Sequence, residues 1–164
     1  METPEKTIAQ YAFDRACGFN LAAKVCEQQP LLIEAVVCYA FSVEVGLKAI
    51  VMHESQVSKV EGGHHLEKLF FQLKGTTQGH IKAAVNDPSF DKRLTEVNKD
   101  FVDWRYVYEA QENEKKIGSW IGFLRELSNA AIDAAKAIIP PPPKRPDPTP
   151  EQIAAFVEEM TRKK

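Results

Sequence analysis

The sequence predicts an all-α fold, an antiparallel helical bundle of about four main helices followed by a proline-rich linker and a C-terminal helix. Three observations carry this expectation. From Phe90 to Glu109, the apolar residues Phe90, Leu94, Val97, Phe101, Trp104 and Tyr108 recur at alternating gaps of four and three, which aligns them on one helix face. From Leu31 to about Met52 the chain is apolar nearly all round, as expected of the central helix of a bundle. Seven of the ten prolines lie between Pro140 and Pro150, where a helix cannot continue. The expected organisation is a bundle over residues 1–139, a linker over 140–150 and an amphipathic helix over 151–164.

The elements follow in order. Thr3, Pro4 and Glu5 supply a cap, a proline at the first helical position and an acid at the positive helix end, so the first helix is expected to start there and to stop near Pro30. Its apolar stripe is Ile8, Ala12, Ala16, Phe19, Ala23 and Cys26. The second helix has the length of a membrane span, for which ~20 apolar residues suffice. Against this, Glu34, Glu44 and Lys48 fall within a sector of roughly 80°, which predicts one wet strip on a soluble core helix. Ser42 points the other way, and its hydroxyl is expected to bond back one turn.

Glu61-Gly62-Gly63 should break the helix and His64-His65 open a short one, with Leu66, Leu69, Phe70 and Leu73 buried and Gly75 at its end. A further short piece, His80 to Val85, leads to Asp87 and Pro88, which cap and open the aromatic helix. Gln111 to Gly118 reads as a loop. The last bundle helix presents Trp120, Leu124, Leu127, Ala131, Ala134 and Ile138. In the tail, Thr149-Pro150-Glu151-Gln152 forms a capping box ahead of the apolar residues Ile153, Phe156, Val157 and Met160. A helix this short is marginal alone, so it needs a surface on its own bundle, on a second copy or on another protein.

Lysine and arginine total 21 against 23 acids, and a net charge of −2 creates no bulk attraction for nucleic acid or an anionic membrane. Cys17, Cys26 and Cys38 are odd in number and lack metal-ligand spacing, so they are expected as buried thiols in a reducing compartment. The N-terminus lacks a basic segment followed by an apolar run. The expected location is the cytoplasm, with no membrane partner, no metal and no cofactor.

Three short patterns occur in order: Ser42-x-Glu44-x-x-Leu47-Lys48-Ala49, then Gly63-His64-x-Leu66, then Phe101-x-x-Trp104-Arg105-Tyr106-x-Tyr108-Glu109. Together they make the region from Ile8 to Ile138 resemble the HEPN superfamily. The resemblance implies a helical bundle, commonly homodimeric, in a superfamily rich in metal-independent endoribonucleases of toxin, antiphage and RNA-processing systems, with inactive members that bind nucleotides, partners or one another. Those enzymes carry an Arg-x4-6-His motif. Here the positions after Arg105 hold Ala110, Gln111 and Glu112, and no histidine follows His80. The expectation is therefore a non-catalytic binding or regulatory protein, with an RNA or nucleotide ligand and a protein partner for the C-terminal helix. A divergent ribonuclease and a purely structural interaction module are the alternatives.

The candidate ligand-binding residues are Glu44, Lys48, His64, His65, Arg105, Tyr106 and Glu109. His64 and Arg105 are the catalytic candidates, because cleavage of this type needs a base for the 2′-hydroxyl and a cation for the phosphorane. The structural explanation of the same residues is an Arg105–Glu109 pair locking its helix to Glu44 or Lys48. The functional one is an anion pocket lined by Arg105, Tyr106 and Lys48. For the two histidines, the structural expectation is that one caps or bonds within its turn and the other is exposed.

Overall fold

The computed structural model describes residues 6–103, 114–141, 149–151, 154, 158 and 161. In order, the bundle helices are α1 (Ile8–Glu27), α2 (Leu32–Ser55), α3 (Leu66–Phe71), α4 (Gly75–Val85), α5 (Phe90–Asp103) and α6 (Glu114–Ile138). The all-α expectation holds. Among the described residues, two of these six bundle helices, α3 and α4, are the short pieces after His64.

The described α1 begins later than Thr3-Pro4 suggests. Thr7 is its cap: the Thr7 hydroxyl accepts the Gln10 N–H at 3.2 Å, and the Gln10 side chain accepts the Thr7 N–H at 2.8 Å. This reciprocal box satisfies two of the orphan donors of the first turn. The buried face is also rotated from the expected stripe, running through Ala9, Ala16, Asn20 and Ala23 and leaving Ile8 52% exposed. The cause is polar. Asn20 Nδ2 donates to Ser128 Oγ at 2.7 Å, and Gln10 Nε2 donates to the Pro140 carbonyl at 2.8 Å, so two inward amides have partners inside the bundle.

α2 is the central helix and packs against both α1 and α6. By length and composition it could cross a membrane, with mean hydropathy 1.8, but 67% of the apolar window is buried inside the bundle. The core helix of a soluble bundle has the same composition. Ser42 faces inward as expected, yet its hydroxyl donates to the Ala16 carbonyl of α1 at 2.9 Å and accepts from Ser128 Oγ at 2.7 Å. The bond back along its own helix loses to a neighbour that needs a partner. At this level Gly46 lies where an added Cβ would be 3.6 Å from Ala131 Cβ and 3.7 Å from Ala16 Cβ, so small residues let three helices approach closely.

Partners across the interfaces set the directions. Gln10 meets Pro140 and Asn20 meets Ser128, so α1 and α6 are antiparallel; the short turn after Glu27 makes α1 and α2 antiparallel as well. α2 and α6 consequently run parallel. Tyr39 is fully buried and donates to Glu27 Oε2 at 2.8 Å, while Arg125 of α6 bonds the other Glu27 oxygen. Burial, followed by the Glu27 carboxylate, pushes the Tyr39 phenol well above its ordinary range.

The expected buried face Leu66, Leu69, Phe70 and Leu73 is present. Gly75, however, opens α4 instead of ending a helix, and α4 reaches back well before His80. Glu54 of α2 explains the early start, since its carboxylate accepts the Lys74 N–H at 2.7 Å and also the Thr77 hydroxyl, capping α4 from another helix. Phe70 of α3, Phe90 of α5 and Phe123 of α6 form a chain of ring contacts at 5.1 and 5.7 Å. In α5, Phe90, Leu94 and Val97 are buried as the stripe requires; the Phe101 side chain, Trp104 and Tyr108 lie outside the described residues. α6 begins at Glu114, so the expected loop is helical over Glu114–Gly118. Its stripe packs, with Trp120, Leu124, Leu127 and Ala131 buried and Ala134 and Ile138 partly so. The three cysteines are free thiols and only half-buried, not fully enclosed.

Candidate functional site

The loop from Gln56 to His65 folds back along α2. Two glycines make this turn: Gly62 has φ +113° and Gly63 φ +61°, conformations that a side chain rarely adopts. They deliver His64 against the middle of α2, and Leu66 immediately anchors the other side by full burial.

At that point Glu44 is buried, at 3% exposure, although helical geometry grouped it with the wet strip. The strip exists, but its centre is covered. Lys48 Nζ donates to Glu44 Oε1 at 2.6 Å from one turn along α2, and His64 Nδ1 lies 2.9 Å from Oε1 and 3.1 Å from Oε2. A carboxylate paired with an ammonium accepts hydrogen bonds only, so the Nδ1 facing it carries the proton. That fixes the tautomer of neutral His64, with the proton on Nδ1. The side chain of Lys48 is 23% exposed and that of His64 51%, so the buried carboxylate is the floor of the site and Lys48 and His64 form its rim.

The other candidates divide. His65 is exposed and occupies the N-cap position of α3, where its side chain makes no capping bond. It belongs to the turn and not to the cluster. The expectation that one histidine bonds within its turn is replaced by a bond from His64 to a different helix. Arg105, Tyr106 and Glu109, and with them the proposed Arg105–Glu109 clamp, lie outside the described residues. The described part of α5 does pass the site: Asn98 Oδ1 accepts the Glu67 N–H at 3.3 Å, and Thr95 Oγ1 donates to Glu67 Oε1 at 2.9 Å, three residues beyond His64.

Sequence reasoning missed the Glu54 carboxylate that caps α4. It adjoins a cleft of about 530 Å³ bordered by His53, Lys74, Thr76, Thr77 and Ile138. The missing signal was contextual, because nothing in the local pattern links Glu54 to Lys74. Among the described residues no group of three or more histidine, cysteine, aspartate or glutamate side chains is arranged to hold a metal ion.

Comparison with family models, with characterised proteins and with solved structures finds no match to this chain. The functional argument rests on the cluster itself.

Proposed function

We propose that the chain is a cytoplasmic, homodimeric, HEPN-like protein that binds a phosphate-bearing ligand, an RNA or a nucleotide, as a non-catalytic regulatory component. The observation that carries this is the convergence of Lys48 and His64 on the buried carboxylate of Glu44. Two of the three patterns behind the resemblance, one on α2 and one in the loop before α3, thereby meet in space although Lys48 and His64 are sixteen positions apart in sequence. A buried carboxylate holding the Lys48 ammonium and the His64 imidazole orients both in advance, so a phosphate at the rim meets an ammonium donor that needs little ordering. The absence of a histidine in the stretch after Arg105 supports the non-catalytic form.

One contact favours the second reading, a divergent ribonuclease. A carboxylate on Nδ1 is the arrangement that orients an imidazole as general base. The test is shared. The purified full chain is titrated with ATP and with a short single-stranded RNA, and the RNA is then examined for cleavage without added metal. Binding is expected for at least one of the two, weakened roughly tenfold or more by Lys48→Ala and by His64→Ala, with the RNA intact. Specific cleavage abolished by His64→Ala and by Arg105→Ala would establish the ribonuclease instead, and binding of neither probe would dismiss the phosphate site.

A further inference from the structure

The outer face of α1 carries several exposed apolar side chains. Ile8, Tyr11, Leu21 and Val25 are each more than half exposed, and at Gly18 an added Cβ would meet nothing within 4 Å. At ~100° per residue, Tyr11, Gly18, Leu21 and Val25 share a sector of roughly 80°. Asp14, paired with Lys6 at 2.6 Å, lies in the same sector, so the apolar side chains group around one ion pair, and apolar groups exposed on one helix face mark an interaction site.

The chain carries a matching segment and delivers it to this place. Gln10 holds the carbonyl of Pro140 at 2.8 Å, so the proline-rich linker leaves the bundle beside the first turn of α1. The tail is helical at Pro150 and Glu151, and Glu151, Ala154, Glu158 and Thr161 are exposed at spacings of three, four and three, one stripe of a helix. The same periodicity assigns Ile153, Phe156, Val157 and Met160, which lie outside the described residues, to the other side. Residues 141–149 span up to roughly 28 Å as polyproline II, against roughly 30 Å for α1 itself. The outer face of α1 is therefore within reach along nearly its whole length.

We infer that the C-terminal helix docks in cis on the outer face of α1, with Ile153, Phe156, Val157 and Met160 over Tyr11, Gly18, Leu21 and Val25. Attachment through a short linker confers an effective concentration in the ~mM range, which a second copy or a separate partner must match from bulk solution. The α1 side chains already stand in water, so replacing them tests docking without opening the core.

Hydrogen exchange on the full chain decides the matter. Amides of residues 153–160 are expected to exchange roughly tenfold or more slowly than in the Leu21→Glu/Val25→Glu variant, with α2 and α6 equally protected in both. Their protection should not change between about 1 and about 100 μM protein, well below the effective concentration of the linker. Phe156→Ser, a change in the tail segment, should raise labelling of Leu21 and Val25 by a diffusible carbene. Equal tail exchange in the two chains, or unchanged labelling in the Phe156→Ser chain, overturns the docking. Protection that appears only at high concentration, or a carbene cross-link from the tail of one copy to α1 of an isotope-labelled second copy, assigns the tail to a second copy and overturns its cis form.

Discussion

Glu44 shows how one side chain changes meaning with its surroundings. On an exposed helix its pairing with Lys48 would contribute a few tenths of a kcal/mol. Enclosed by His64, it is a buried charge whose partners are obligatory, because an unpaired ion there carries a desolvation cost of several kcal/mol. Lys48→Met should therefore destabilise the protein by about 1–3 kcal/mol, less than a fully isolated pair would lose, since His64 still bonds the carboxylate. Glu44→Leu combined with Lys48→Met removes the charge that was left behind and should recover most of that loss. Urea unfolding of the two chains checks this: a double variant no more stable than Lys48→Met would show that the buried carboxylate is not the source of the cost.

Helix ends decide where the elements stop and start. α5 illustrates a local solution: the Asp87 carbonyl accepts the Phe90 N–H, its Oδ1 accepts the Ser89 N–H at 2.8 Å, and its Oδ2 accepts from Arg93 at 2.9 Å. The Ser89 N–H first, and then Arg93, hold the Asp87 carboxyl below the usual carboxylate range. A depressed folded-state pKa means that the stabilisation is present above the unfolded value of about 3.9 and is lost as pH falls through the lower folded value. Asp87→Ala should accordingly lower Tm at neutral pH, with the gap closing as pH drops below about 4. Melts across that range test it, and a gap that persists unchanged at pH 3 would assign the effect to something other than the ionised carboxylate. α4 uses the opposite solution, a cap borrowed from Glu54 of α2, and this is why its start escaped a pattern-based reading.

At the scale of the molecule, the seam between α1, α2 and α6 combines close approach with a buried polar chain from Asn20 through Ser128 and Ser42 to the Ala16 carbonyl. Gly46 sits at its centre. The space beside it accepts one methyl group at ordinary contact distance, so Gly46→Ala should stabilise the fold by about 0.5–1 kcal/mol through helix propensity. Gly46→Leu should instead force the helices apart at a cost of about 1–3 kcal/mol. Urea midpoints of the two variants should move in opposite directions. If Gly46→Ala destabilises, the seam is tighter than the distances to Ala131 and Ala16 describe.

What the sequence by itself determined is the set of features that depend on neighbours along the chain. Helical periodicity identified α2, the buried residues of the described α5 and the stripe of α6, and the glycine pair before His64 marked the turn that delivers the site. It also placed Glu44 and Lys48 one turn apart. What only the tertiary structure decided is everything that depends on a partner far away in sequence: the rotation of α1 toward Asn20 and Gln10, the start of α4 under Glu54, and the enclosure of Glu44 by His64. The physical reason is the same in each case. A polar side chain has several local conformations of similar energy, and the one adopted is chosen by the donor or acceptor that another element brings within about 3 Å.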